Sequence, residues 1–279
     1  MQTNSNRLPT VRLSAMIQPA QVNSVVRPDG TLVARPGQGG VVLGLTPGSP
    51  ALGWESDHLE PGASLEHPDP AANRALQILS CVGNVVTVCS GAAIGAEGRV
   101  LGKHGAVLVQ FPPATLTRLR PGDEMVVNTR GVGLRMSDEP QIAFHSCAPE
   151  LVSALVRPSG GNTLTVPVRH ALPAKAAGAG SGLPSWAYNI DLDLRHAGFE
   201  ASVGSPIAFG DIVALTGHDH RFGREYNPGW SAFGVIAHGT SAGGGHGVGL
   251  VTLVSGPLDR IGYVLDDDAT ISMIGGWPW

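Results

Sequence analysis

Gly210-Asp-Ile-Val-Ala-Leu-Thr-Gly-His218-Asp-His220-Arg-Phe-Gly-Arg-Glu-Tyr226, followed by Gly234-Val-Ile-Ala-His238-Gly239 and Gly245-His246-Gly-Val-Gly-Leu-Val-Thr-Leu-Val-Ser-Gly256, decides the fold. Each aliphatic run is short, rich in β-branched residues and closed by glycine. That is the pattern of strands joined by tight turns. The same stretch puts five ligand-capable side chains, His218, Asp219, His220, His238 and His246, at strand ends beside those turns. On a β scaffold this is where chemistry usually sits.

Outward from this stretch the same texture continues. Glycine occurs 39 times in 279 residues, about twice the usual ~7%. It has no tripeptide period, which excludes a collagen-like chain. Val25 to Ala34 reads as two extended segments around an Asp29-Gly30 turn. Gly39-Gly-Val-Val-Leu-Gly-Leu45 is another strand. Ala72, Leu76, Leu79 and Val82 fall on one helix face, with Asp69 as N-cap and Pro70 at the first position. Further short helices are expected around 113–119 and 147–156. Val166-Pro-Val reads as an edge strand because proline cannot donate to a ladder.

Val85–Cys89, Gly98–Gly105 and Ala106–Phe111, with a strand at Met125–Asn128, resemble the small SH3-like barrels of the KOW type. The expected class is mainly β: a multi-stranded sandwich or barrel with an SH3-like segment and a few short helices. The expected division is a loose arm at 1–23, a main β domain at 24–82 and 130–279, and the barrel segment at 83–129.

Hydrophobic residues make up 42% of the chain and the mean hydropathy is +0.10, which marks a folded protein. Charged residues are only 14%, against roughly 25% in ordinary chains. So thin a charged shell points to a homo-oligomer. The net charge is −4 with only two lysines, Lys103 and Lys175, so no nucleic-acid partner is expected. Three cysteines without a Cys-x-x-Cys pair, no signal-like start and no long apolar run lead to the expectation of a cytoplasmic protein without a membrane partner.

Three segments carry the candidate chemistry. In an extended chain His218 and His220 share a face. With His238 from a neighbouring strand they would make a three-ligand metal site with an open position. The plain alternative is a surface turn. Asp57-His58-Leu-Glu60-Pro61-Gly62 offers two carboxylates and an imidazole for ligands or a general base; otherwise it is a solvated loop. Gly102-Lys103-His104-Gly105 sets a cation and an imidazole between glycines, or is an ordinary turn. Ser181, Cys81 and Cys147 lack a nucleophile's setting. Asp266-Asp267-Asp268 does not follow the calcium-loop pattern, and neither phosphate nor dinucleotide fingerprints occur. His67, His145, His170 and His196 read as structural. Trp277 and Trp279 read as docking groups.

These three motifs, together with Phe209-Gly-Asp-Ile-Val-Ala-Leu and His218-Asp219-His220-Arg-Phe-Gly223-Arg224-Glu-Tyr226-Asn-Pro228-Gly229, are similar to domain-of-unknown-function family 4438. The resemblance runs from about residue 20 to 256. It implies a mainly-β, oligomeric protein with a barrel-like insert, and it implies no settled activity. About ten residues from Gly210 also resemble the acetamidase/formamidase group of metal-containing amide hydrolases.

The resulting expectation is a metal-dependent hydrolase of a small amide-like or cyclic C–N substrate. His218, His220 and His238, with Asp57 or His58, would bind zinc or manganese. Asp219 or Glu60 would be the base, and Lys103 and Arg224 would hold an anionic group. Two alternatives stand beside it. One is a metal-free lyase or isomerase with His104 and Asp219 as acid and base and Lys103 as electrophile. The other is a non-enzymatic binding protein.

Overall fold

The computed structural model describes residues 1–160, 163–178, 190–192, 206–241 and 246–277. Ser181, His196, Trp279 and the end of the glycine-rich run at 174–182 lie outside the described residues.

From the N-terminus, β1 (Val11–Ile17) leads to β2 (Val22–Val26), β3 (Leu32–Pro36), β4 (Val41–Val42), β5 (Gly62–Glu66) and helix α1 (Pro70–Leu79). Next come β6 (Val85–Val88), β7 (Glu97–His104), β8 (Ala106–Gln110), helix α2 (Pro113–Leu116) and β9 (Glu124–Thr129). β1 pairs with both β9 and β5, so β1-β9-β6-β7-β8-β5 closes into a six-stranded barrel. Closure removes the unpaired edges that an open sheet would expose.

Ile17, Leu65, Val86, Val100, Val109 and Val127 fill the barrel. It draws β1 and β5 from outside residues 83–129. The N-terminal segment is therefore no loose arm: Leu13, Ala15 and Ile17 alternate inward and give β1 an apolar face to bury. Among the described residues β2 and β3 pair only with each other, around the expected Asp29-Gly30 turn. Asp69 caps α1 by accepting from Ala72 N at 2.8 Å.

The second half runs β10 (Ala143–Phe144), α3 (Val152–Leu155), β11 (Arg157–Pro158), β12 (Leu164–Val168), β13 (His170–Leu172), β14 (Ile190–Asp191), β15 (Ile212–Asp219), β16 (Glu225–His238), β17 (Gly249–Pro257), β18 (Ile261–Leu265) and α4 (Ile271–Gly275). Its main sheet has the order β10-β17-β16-β15-β13, with β14 also on β17. β17 is buried along its whole length, because each face meets a different core. Val251, Leu253 and Val254 join one core with Leu101 and Leu108 of the barrel. Leu250 and Val248 join another with Leu45, Leu59 and Phe209. A strand covered on both faces reads as continuous apolar sequence rather than alternation. Pro167 lies in β12, a middle strand, but β11 reaches only Leu164 and Thr165, so the ladder is open where the proline sits.

Gly102 marks the meeting of the layers. A β-carbon there would stand 2.4 Å from Ala237 Cβ, so glycine lets β7 approach β16 closely. That approach brings His104, at the end of β7, to His238, at the end of β16. Among the described residues no helix is long and apolar enough to cross a membrane.

Candidate functional site

Four imidazoles gather where β7, β16, the 57–60 loop and the start of β17 meet. Ring centres of His58 and His246 are 4.7 Å apart, His58 and His104 4.8 Å, and His104 and His238 3.8 Å. His238 lies 5.8 Å from His58 and 6.3 Å from His246. His58 Nε2 and His246 Nε2 face each other at 2.8 Å.

Each ring is fixed through Nδ1. That of His58 donates to Asp57 Oδ2 at 3.0 Å, and that of His104 to Glu60 Oε1 at 2.8 Å. His238 donates to Gly239 O at 2.8 Å and His246 to Gly247 O at 3.0 Å. Carboxylates and carbonyls only accept, so each Nδ1 carries a proton, and the neutral form of such a ring has its lone pair on Nε2.

The carboxylates are themselves held. Asp57 accepts from Asn23 Nδ2 at 2.8 Å and Ser241 Oγ at 3.0 Å. Glu60, fully buried, accepts from Gly39 N at 2.9 Å and Ser64 Oγ at 2.5 Å. Gln38 Nε2 lies 3.4 Å from His104 Nε2. Burial, with the neighbouring His104, holds His58 below the ordinary imidazole range.

The loop geometry follows from its neighbours. Asp57 N bonds Pro36 O, His58 N bonds Thr240 O and Gly239 N bonds Leu59 O. This clamps the loop between β3 and the chain leaving β16, and His58 takes φ 57° there. Gly249 is needed beside the cluster, because a β-carbon on it would stand 1.9 Å from His238 Nε2.

The structure thus brings Asp57, His58, Glu60, His104 and His238 together and leaves the other expected residues elsewhere. Lys103 is only 1% exposed; alternation along β7 turns it into the barrel side, where Nζ reaches Ile78 O at 3.4 Å. His218, Asp219, His220 and Arg224 gather around the far end of β15, where His218 pairs with Tyr226 near the start of β16, whereas His238 closes that strand. There His220 Nδ1 meets Thr252 Oγ1 at 2.8 Å, and Asp219 pairs with Arg221 at 2.8 Å. Arg221 in turn lies over Trp230.

His145, expected to be structural, joins that second group, 6.4 Å from His220 between ring centres. Burial, then Arg224, pushes His145 down to about 4; burial, then His145 and Arg224, pushes His220 down to about 2. Among the described residues no ring contact joins the two histidine groups. Among the described residues no group of three His, Cys, Asp or Glu donors stands in ready-made metal geometry, in either cluster.

His246 stood in the quoted stretch, flanked by glycines, without an assigned role. The polar supports Asn23, Gln38, Ser64 and Ser241 carry no motif, so only the folded contacts show them.

Among curated proteins none matches this chain. The solved structure described as "Crystal structure of TM1086" is 33% identical to it, with a TM-score of 0.90 over 98% of each chain. The N-terminal model of the domain of unknown function DUF4438 matches residues 25–153, and the C-terminal model of the same family matches 156–274. The chain therefore belongs to the DUF4438 family.

Proposed function

We propose that the chain is a metal-dependent hydrolase of small amide-like or cyclic C–N substrates, with His58, His238 and His246 as ligands and His104 with Glu60 as the acid–base pair. The observation that carries this reading is the 2.8 Å contact between His58 Nε2 and His246 Nε2. Both Nδ1 atoms already donate to oxygens, so neutral rings would set two lone pairs against each other, and a cation entering between them, which holds such nitrogens about 3.4 Å apart, would relieve the repulsion. With metal–nitrogen bonds of about 2.1 Å, two imidazole ligands at a tetrahedral angle hold their ring centres about 5 Å apart. The 4.7, 5.8 and 6.3 Å spacings of His58, His238 and His246 lie around that value. At 3.8 Å, His104 is too near His238 for both to share one ion, and this favours a role for His104 beside the ligands rather than among them.

Oxygen acceptors behind Nδ1 are the usual support of metal-bound imidazoles. An all-imidazole set suits zinc better than manganese. When bound, such an ion lowers the pKa of a water to about 7 and polarises a carbonyl. Glu60 holds His104 through Nδ1, so His104 Nε2 is the atom that takes a proton from water and returns it to the departing amine. Gln38 is the neutral donor beside it. The His58 and His104 side chains are 15% and 13% exposed, which favours a small substrate.

The test is elemental analysis of the full chain after zinc loading, beside His246→Ala, with amide and lactam hydrolysis assayed before and after chelation. Loss of one equivalent in the variant, and activity removed by chelator and restored by zinc, is the expected result. Equal metal content in both proteins would sink the reading. The short contact would then be a shared proton, and metal-free acid–base chemistry would take its place.

A further inference from the structure

The His218-x-His220 motif lies outside the cluster just described, yet it forms a group of its own with His145. His220 touches both partners, with ring centres 5.6 Å from His218 and 6.4 Å from His145. All three side chains are more than nine-tenths buried. They come from different parts of the chain: His145 follows β10, His218 lies in β15 and His220 follows it.

Each ring is held through one nitrogen. His145 Nε2 meets Ser255 Oγ at 2.9 Å, and His220 Nδ1 meets Thr252 Oγ1 at 2.8 Å. His218 Nε2 meets Ala174 O at 3.2 Å. That carbonyl can only accept, so His218 Nε2 carries the proton and Nδ1 a lone pair. His218 Nδ1 is buried and makes no hydrogen bond. A buried acceptor without a donor is costly and calls for a partner.

We propose that His145, His218 and His220 form a second metal site, which takes a divalent transition metal of the imidazole-preferring kind. The 5.6 Å spacing of His218 and His220 and the 6.4 Å spacing of His145 and His220 stand within about 1.5 Å of the roughly 5 Å expected for imidazoles on one ion, so loading would draw the rings together around His220. Hydroxyl and carbonyl oxygens behind the opposite nitrogens supply the orienting contacts such ligands need. A cation here answers the buried lone pair on His218, and the buried Asp219 carboxylate offsets the nearby Arg224 guanidinium. The ion would tie the end of β15 to β17, through Thr252 and Ser255, and to the chain after β10. No carboxylate joins the proposed ligands, so imidazole-loving zinc, cobalt, nickel or copper fits better than magnesium or calcium.

The experiment is zinc counting on the full-length protein after loading and desalting, comparing the wild type with His218→Gln, His145→Gln and His246→Ala. The expected result is one equivalent fewer in both His218→Gln and His145→Gln. The equivalent that depends on His246 should remain, which shows that these variants are folded. Cobalt loading of His246→Ala is expected to show the visible bands of a nitrogen-liganded ion, absent from His246→Ala/His218→Gln. Wild-type zinc content in His218→Gln, with unchanged cobalt bands, would overturn the proposal. The two sites fail separately, because each variant reports on one of them.

Discussion

His58 is the one non-glycine residue with a positive φ among the described residues. A side chain held there costs on the order of 1–3 kcal/mol and persists only where its surroundings fix it. Asp57 and the Thr240 carbonyl do so here. Lys103 is the second residue with an unusual setting. Burial pushes its ammonium down to about 8, with the nearby Cys81 working the other way. The unfolded chain keeps that proton to about pH 10.4. Above pH 8 the unfolded state therefore binds more protons than the native state, and stability rises with pH. Cys81 and Cys147, both raised by burial, oppose this as their unfolded thiols ionise above about pH 8. Denaturant unfolding should therefore show the wild type gaining roughly 1 kcal/mol relative to Lys103→Met between pH 8 and 9. A constant difference between the two proteins across that window would contradict the assignment. The residue types of the site were legible, since histidines and carboxylates beside glycines stood out. Their partners were not: nothing local says that Glu60 meets His104 or that Lys103 turns inward.

At the scale of elements, local chemistry served well where the signal was local. Asp69-Pro70 opens α1 as its capping pattern requires, and Asp69→Ala is expected to cost about 1 kcal/mol in thermal or denaturant unfolding. A loss below the error of that measurement would show that packing of Leu76 alone holds the helix. The His218-x-His220 alternation illustrates the opposite case. The ladder shifts register between Thr216 and His218, and β15 ends at Asp219. The two rings consequently stand nearly perpendicular, at 83°, and neither joins His238. A bulge changes which way a side chain points, and its position depends on the partner strand.

In the whole molecule the barrel and the sheet meet through Gly102, and the site lies next to that contact. Gly102→Ala would press a methyl group against Ala237 and separate β7 from β16. It should lower stability by roughly 1–3 kcal/mol and weaken zinc binding at the His58 cluster together. Retention of both would mean that the layers slide without loss. By itself the sequence determined the mainly-β class, the Asp29-Gly30 hairpin, the cap of α1 and the residue types of the site, because turn chemistry, capping and apolar patterning act over a few residues. Only the tertiary structure decided that β1 closes the barrel, that His104 and His246 join His58 and His238, and that His145 joins His218 and His220. Those outcomes depend on strand register and on how closely two layers approach, and both are set by side chains far apart in the chain.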